Sequence, residues 1–159
     1  MTACMETSAR VDPVKHLSGR QSELFYLLAC GLTCREISVI TGLTERTVNY
    51  YKLTLRTKFY PQNVLTAIRC EVKRNPEFKK SLIEEASCLL ERLPEIVRIT
   101  PREAELVQLI HKRPKEIGKA LGISLRTVHF HYRTLFEKFR VRNRTELYLR
   151  LLSEGFLSY

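Results

Sequence analysis

One stretch of the chain carries four side chains at helical spacing that can form hydrogen bonds or apolar contacts: Arg126, His129, Phe130 and Arg133. Positions three and four apart lie on one face of an α-helix, so these side chains would share a surface. A guanidinium can form two hydrogen bonds to the edge of guanine, and an apolar ring can contact the thymine methyl group. The spacing therefore predicts contact with base edges, and we take these four as candidate base-reading residues.

No arrangement of residues in the sequence is typical of catalysis. There is no glycine-rich phosphate loop and no nucleophile–base pair at motif spacing. The five cysteines include no CxxC pair, and the four histidines show no zinc spacing with them. We therefore expect neither an enzyme, nor a metal site, nor a cofactor. Cys30 and Cys34 flank Gly31, and we interpret them as small core or turn residues with free thiols.

The charge of the chain favours a polyanionic partner. There are 27 Lys and Arg against 17 Asp and Glu, which gives a net charge of +10 and a pI near 9.6. The N-terminal segment from Met1 to Asp12 is polar and lacks the apolar stretch of a signal peptide. No apolar run approaches the roughly 18 residues that a membrane span needs. We expect a cytoplasmic, nucleoid-associated protein that contacts no membrane.

The chain contains an internal repeat, here named copy one (residues 14–74) and copy two (residues 99–159). Residues 36–63 and 116–143 align without a gap at an offset of 80, and 11 of 28 positions are identical. Each copy carries a net charge of +6, whereas the connector between them, residues 75–98, carries −1. Because the positive charge follows the repeat, both copies are predicted to meet nucleic acid.

The sequence pattern of each copy predicts several helices in succession, among them a helix-turn-helix unit. Hydroxyl side chains that can cap the first and third helices stand at Ser18 and Thr44 in copy one and at Thr100 and Ser124 in copy two. The short second helix, about residues 35–41 and 114–121, ends at Gly42 and Gly122. Glycine can take the left-handed conformation that stops a helix. Helix, glycine, apolar residue, cap and longer helix is the order of a helix-turn-helix unit.

The third helix of each copy has a core-facing stripe and an outward face. The stripe holds Val48, Leu55 and Phe59, with Lys52 beside it, in copy one and Val128, Leu135 and Phe139, with Tyr132 beside it, in copy two. The outward face of copy two carries the four candidates named above. The outward face of copy one carries Arg46, Asn49 and Tyr50, which are further base-reading candidates. Leu53 replaces Arg133 there, so copy one is expected to be the weaker reader.

A fourth helix follows Asn63 and Asn143 and can close each small core, since about 60 residues is near the lower limit for a domain. The connector starts with Asn75-Pro76-Glu77, which resembles a helix start. Its apolar stripe comprises Phe78, Leu82, Ile83, Ala86, Leu89, Leu90 and Leu93. This stripe is either a packed face of a linker helix or a dimerisation or partner surface.

The predicted fold class is all-α, with two small four-helix helix-turn-helix domains joined by a linker helix. The expected organisation is a flexible N-terminus over residues 1–13, a divergent first domain over 14–74, a connector helix over 75–98 and a second domain over 99–159.

Copy two resembles the LuxR/FixJ-type, or GerE-like, DNA-binding domain. The resemblance is carried by ITPREAELVQLI, KEIGKALGISLRTVHFHYRTLFEKF and VRNRTEL. Copy one keeps E-I, G-L-T-x-R-T-V and Asn63, but has Gly19 in place of the proline and Tyr60-Pro61 inside the family ending. The resemblance implies a four-helix domain whose third helix enters the major groove and whose fourth often carries dimer contacts. Most members have one such domain, so two copies are a departure.

Phosphate contacts are expected beside the reading faces, where cations and hydroxyls fix the register on the duplex. The candidates are Lys115, Thr127, Lys138 and Arg144 in copy two and Arg35, Thr47 and Lys58 in copy one.

The leading hypothesis is a sequence-specific transcriptional regulator that binds double-stranded DNA as a covalent pseudo-dimer. Its two unequal heads are the helix-turn-helix units of copy one and copy two. The alternative is an interaction protein whose divergent first copy docks on RNA polymerase or another regulator. A sigma-factor-like role is a third option, although an aromatic-rich promoter-melting segment is missing. A homodimer through the connector helix or the fourth helices stays open.

Overall fold

The computed structural model describes residues 14–60, 62–89 and 97–157, and all regular structure in these residues is helical. Copy one contains α1 (Gly19–Ala29), α2 (Cys34–Thr41), α3 (Glu45–Lys58) and α4 (Val64–Arg74). The connector helix is α5 (Pro76–Leu89), and copy two contains α6 (Pro101–Gln108), α7 (Pro114–Leu121), α8 (Leu125–Phe139) and α9 (Arg144–Ser153). The predicted all-α class is confirmed. The predicted flexible segment 1–13, and Leu90 and Leu93 of the connector stripe, lie outside the described residues.

The helices begin and end where the predicted caps stand. The side-chain oxygens of four caps each accept a hydrogen bond from the backbone N–H three residues later, at Ser18, Thr44, Thr100 and Ser124. A cap of this kind stabilises a helix by about 1 kcal/mol. Gly42 and Gly122 end α2 and α7 in the left-handed conformation, with φ of 69° and 63°. The turn between the second and third helix therefore has the same geometry in both copies.

The core-facing stripes of α3 and α8 are buried as predicted, with one exception. Val48, Leu55 and Phe59 of α3 and Val128, Leu135 and Phe139 of α8 are all at most 2% exposed. Tyr132 is buried as well, whereas Lys52, at the equivalent position of α3, is exposed. The expectation that Lys52 faces the core is therefore wrong, because burying an unpaired ammonium group is too costly.

The two copies share one hydrophobic core. Among the described residues, a small cluster of Leu24, Ile37 and Val48 lies apart beneath α1, α2 and α3. The larger cluster contains Leu55 of copy one together with Leu135 of copy two. Because a unit of about 60 residues buries a small fraction of its surface, a shared core stabilises both copies more than two separate cores would.

The connector helix and the last helix lie at the centre of this shared core. α5 packs against α4 and α9, and its Leu82 and Ala86 are at most 2% exposed. Every residue from Glu146 to Leu152 of α9 is buried, which is the pattern of a helix enclosed on all sides. The buried part of the α5 stripe is thus occupied within the chain, so a homodimer through this helix would need its other face.

Candidate nucleic-acid interface

The outward face of α8 brings the four predicted base-reading side chains of copy two together. Arg126, His129, Phe130 and Arg133 are all exposed, and the Phe130 ring is 66% exposed even though it is large and apolar. Arg133 Nε lies 3.3 Å from Glu137 Oε1, but the two side chains are 82% and 68% exposed. An ion pair this open to water is weak, so Arg133 is free to exchange the carboxylate for a base edge.

The four equivalent positions of α3 are exposed in the same way but carry fewer charges. Arg46, Asn49 and Tyr50 are exposed, and Tyr50 and Leu53 are 65% and 60% exposed. The Cys34 thiol donates a hydrogen bond to Asn49 Oδ1 at 3.3 Å, which holds one side of the amide. The face therefore offers one cation, one amide and two large apolar surfaces.

Two predicted phosphate ligands, Arg35 and Lys115, lie in the first turn of α2 and α7, at equivalent positions, and both are exposed. The unpaired N–H groups and the dipole at a helix N-terminus attract an anion, and a cation there adds to the attraction. Thr47 and Thr127 lie in the first turn of α3 and α8, and their hydroxyls pair with the cap hydroxyls at 2.9 and 2.8 Å. Arg35 and Lys115 thus lie at the N-terminal ends of the second helices, and Thr47 and Thr127 lie at those of α3 and α8.

Two other predicted phosphate ligands already have partners within the protein. Lys138 Nζ lies 2.7 Å from Glu103 Oε2, and the Glu103 side chain is 4% exposed. Lys58, at the equivalent position of copy one, donates to the neutral Gln21 Oε1 at 2.7 Å. In both copies the lysine joins the third helix of the copy, α3 or α8, to the first helix, α1 or α6. The positive charge of Lys138 is therefore paired with a carboxylate, whereas that of Lys58 is not.

The third engaged candidate is Arg144, which joins α9 to the turn after α6. Its guanidinium donates to the carbonyl oxygens of Ile110 and Lys112, both at 2.7 Å. The same group lies over the Tyr132 ring, 5.4 Å from its centroid, where a cation–π contact stabilises it. These contacts give Arg144 a positioning role in the fold. Its predicted contact with a phosphate stays a prediction.

Two asparagines join the copies, a feature that sequence reasoning missed. Asn63 caps α4, and its Nδ2 donates to the carbonyl of His111 at 2.9 Å. Asn143 caps α9, and its Nδ2 donates to the carbonyl of Gly31 at 3.0 Å. Gly31 and His111 each lie two residues before the N-cap of the second helix in their copy. The contacts are therefore equivalent and reciprocal, and the retained asparagine at offset 80 is the signal that pointed to them.

Gly31 brings copy one into direct contact with α9. Its φ is +81°, and a Cβ atom there would lie 2.5 Å from Glu146 Cγ and 3.2 Å from Glu146 Cα. Arg142 spans the same junction, with guanidinium nitrogens 2.8 Å from Glu36 Oε1 and 2.6 Å from Glu146 Oε1. Hydrogen bonds from the Thr33 backbone and from Arg142 lower the pKa of Glu36 to about 2. Backbone contact and ion pairing thus both hold the copies together.

The His111 side chain is buried at this junction. Its pKa is lowered to about 4, because burial disfavours the imidazolium and because the cations Arg69, Lys112, Lys73 and Arg144 lie nearby. The ring is therefore neutral near pH 7, which suits its position among four positive side chains.

The described residues contain no group of three or more His, Cys, Asp or Glu side chains that could hold a metal ion. None of the helices in the same part of the chain is long and apolar enough to cross a membrane. Cys30, Cys34, Cys70 and Cys88 are free thiols. Cys30 is buried beside the turn and Cys34 is half-buried, consistent with their interpretation as core and turn residues.

Comparison with known proteins agrees with this geometry. The family model GerE, described as bacterial regulatory proteins of the luxR family, matches residues 15–70 and 98–151, which together make up more than half of the chain. Searches of curated proteins and of solved structures gave no match. The two matched segments contain the two helix-turn-helix units, and the chain therefore belongs to the luxR family of bacterial regulatory proteins, a family of DNA-binding transcription regulators.

Proposed function

We propose that this chain reads a specific, asymmetric site in double-stranded DNA as a covalent pseudo-dimer, with α8 as the stronger recognition helix and α3 as the weaker one. Dimeric helix-turn-helix proteins read two half-sites about one helical turn apart. Here a single chain supplies both heads, so no second subunit is needed. The proposed place of action is the cytoplasm, on the nucleoid.

The observation that carries this proposal is the reciprocal junction between the copies. Asn63 and Asn143 each cap one fourth helix and each donate to the equivalent turn of the other copy. Reciprocal contact between equivalent surfaces is the property of a two-fold interface. A shared core and the Arg142–Glu36 ion pair add to it. The two heads would thus be held at a fixed separation, as two half-sites on DNA require.

The inequality of the heads supports an asymmetric site. Arg126 and Arg133 of α8 can each bond a guanine edge, and Phe130 can contact a thymine methyl. In α3, Arg46 is the sole equivalent cation on the outward face, and Asn49 is suited to adenine. Arg35 and Lys115 would position the heads on the phosphates without reading sequence.

The test is binding to duplex DNA of random sequence across a salt series, followed by selection of the bound sequences. The proposal predicts a log–log salt slope of several units, about −0.9 for each phosphate contacted, and one enriched site with two unlike half-sites. Binding without enrichment would contradict sequence-specific reading. No binding at about 50 mM salt, where phosphate contacts are strong, would contradict the proposal as a whole.

A second function, docking on RNA polymerase or another regulator through copy one, is favoured by one observation. Apart from Tyr50 and Leu53 on the outward face of α3, copy one has, among its described residues, three further large apolar side chains that are strongly exposed: Val39 at 79%, Ile40 at 60% and Tyr60 at 76%. The equivalent positions of copy two hold Lys119, Ala120 and Arg140. Because copy two fills the same positions with small or charged residues, the exposed apolar groups of copy one favour a protein contact there.

The repeat itself supplies the variant that tests this alternative. Val39→Lys with Ile40→Ala gives copy one the residues that copy two carries at the same positions, and Lys119→Val with Ala120→Ile is the matched control. Binding of purified bacterial RNA polymerase that is lost in the first variant and kept in the second would support docking through copy one. Absence of polymerase binding by the unaltered chain would reject docking on that enzyme.

A further inference from the structure

We propose that a cleft between the two copies binds a small organic anion with an apolar body. The cleft has a volume of about 570 Å³, which lies within the range of small-molecule sites. Copy one contributes Leu28, Leu32 and Val64 to its walls, and copy two contributes Tyr132 and Phe136. The cleft therefore exists because the copies are packed together.

The walls are suited to an apolar body. The rings of Tyr132 and Phe136 stack with centroids 5.8 Å apart and form one side, and the leucines form part of the other. All five wall residues belong to the shared core or pack against it. Burial of apolar ligand area against such walls is favourable because it removes that area from water. An apolar body of suitable size would thus bind with favourable free energy.

The charge around the cleft selects an anion. Among the described residues, no Asp or Glu side chain lines the cleft, whereas Lys52, Arg142 and Arg144 do. Arg142 and Arg144 are engaged with carboxylates and backbone carbonyls. Lys52 Nζ has a weak contact with Cys34 Sγ at 3.9 Å and forms no ion pair within the described ranges. Lys52 is therefore the cation available to a carboxylate or sulfonate.

The stacked aromatic wall is specific to this cleft. A second cleft lies at the equivalent place on the other side of the junction and shares Val64 and Arg144 with the first, and its other lining residues are Arg56, Tyr60, Gln62, Asn63 and Arg113. Arg56 there stands at the repeat position of Phe136, and Gln62 at that of Arg142. Because the repeat produces two clefts with unlike walls, the aromatic wall is a property of these side chains and not of the fold.

Occupation of the cleft would bear on DNA binding, an extension that rests on the proposed function. His129, a candidate base-reading residue, also lines the cleft. A ligand in contact with His129 and Lys52 would lie beside both recognition helices and would alter the affinity for DNA.

The test uses the full chain without DNA, so its outcome does not depend on the proposed function. The probe is 1-anilinonaphthalene-8-sulfonate, an aryl anion, with the uncharged N-phenyl-1-naphthylamine as the charge control. Cys34 lines the cleft, whereas Cys70 is exposed outside it. Alkylation of each thiol is followed by mass spectrometry. We expect the sulfonate to slow alkylation of Cys34 at least fivefold and to leave Cys70 unchanged.

A pair of variants links the binding to the charge of Lys52. Lys52→Gln should weaken sulfonate binding about fivefold, the upper range for a partly exposed ion pair, and should leave the uncharged probe unaffected. Lys119→Gln, at an exposed lysine that does not line the cleft, is the matched control and should change neither. Equal protection of Cys34 and Cys70, or sulfonate binding that Lys52→Gln does not weaken, would overturn the proposal.

Discussion

The two recognition helices share a backbone geometry and a buried face but differ on the surface. Val48 and Leu55 of α3 recur as Val128 and Leu135 of α8, and all four are at most 1% exposed. On the outward face, Leu53 stands where α8 carries Arg133, and both are exposed. Core positions are constrained by packing, whereas exposed positions are free to diverge with the partner. The repeat therefore retains the buried side chains of the two helices and varies the exposed side chains.

The largest effect is expected at the turn that joins copy one to α9. Gly31→Ala should lower the free energy of unfolding by about 3 kcal/mol, because it combines a left-handed backbone with displacement of α9 by the new Cβ. Gly42→Ala is the matched control: its φ is 69°, and nothing lies within 4 Å of its Cβ position. It should cost about 1 kcal/mol. Urea denaturation measures both, and equal losses would show that the junction does not hold the copies tightly.

The next effect separates the two reading faces. Arg133→Ala should weaken binding to the selected duplex about fivefold or more, since a bidentate base contact contributes roughly 1–3 kcal/mol. Leu53→Ala should change it less than about threefold, because one apolar contact contributes less. Leu53→Arg should strengthen binding by adding a cation to the face of α3. Fluorescence anisotropy titration checks all three, and equal losses for the two alanine variants would remove the proposed ranking of the heads.

A smaller effect tests whether the junction is symmetric. Serine retains a cap oxygen but lacks the amide that crosses to the other copy, so Asn143→Ser and Asn63→Ser each remove one hydrogen bond of about 1 kcal/mol. Asn143→Ser should lose more stability than Asn63→Ser in thermal unfolding, because the His111 carbonyl keeps its second donor, Thr66 Oγ1 at 2.9 Å, when the Asn63 amide is removed. Equal losses, or a larger loss for Asn63→Ser, would contradict this order.

The smallest effect near neutral pH concerns His111, which has no histidine equivalent in copy one. Its pKa of about 4 lies below the usual value of 6.5, so the folded state disfavours the imidazolium. Its contribution to stability is complete above pH 6.5 and falls progressively as the pH drops toward 4. His111→Asn should flatten stability over this interval in denaturation at several pH values. An unchanged pH dependence would place the titrating group elsewhere.

Local structure followed from the sequence because its causes are local. The caps at Ser18, Thr44, Thr100 and Ser124 act within one turn of helix, and the glycines that end α2 and α7 act at a single φ. The helical spacing of the apolar residues likewise identified the buried stripes of α3 and α8, apart from Lys52. The exposed positions of the base-reading candidates followed from the same periodicity, although their contact with bases stays a prediction.

The junction did not follow from the sequence, because its contacts join residues far apart in the chain. Asn143 and Gly31 have no local pattern that pairs them, and Arg142 reaches Glu36 across 106 positions. The same reason explains why Lys138 and Arg144 were interpreted as phosphate ligands. Their partners, Glu103 and the carbonyls after α6, become visible when the helices are packed.

The pseudo-dimer is tested most directly by the composition and footprint of its complex with the selected duplex. Light scattering after size-exclusion chromatography gives the number of chains per duplex, and hydroxyl-radical cleavage gives the protected nucleotides. A covalent pseudo-dimer predicts one chain per duplex and two unequal protected segments about 10 base pairs apart. Two chains per duplex, or protection of a single groove, would contradict it.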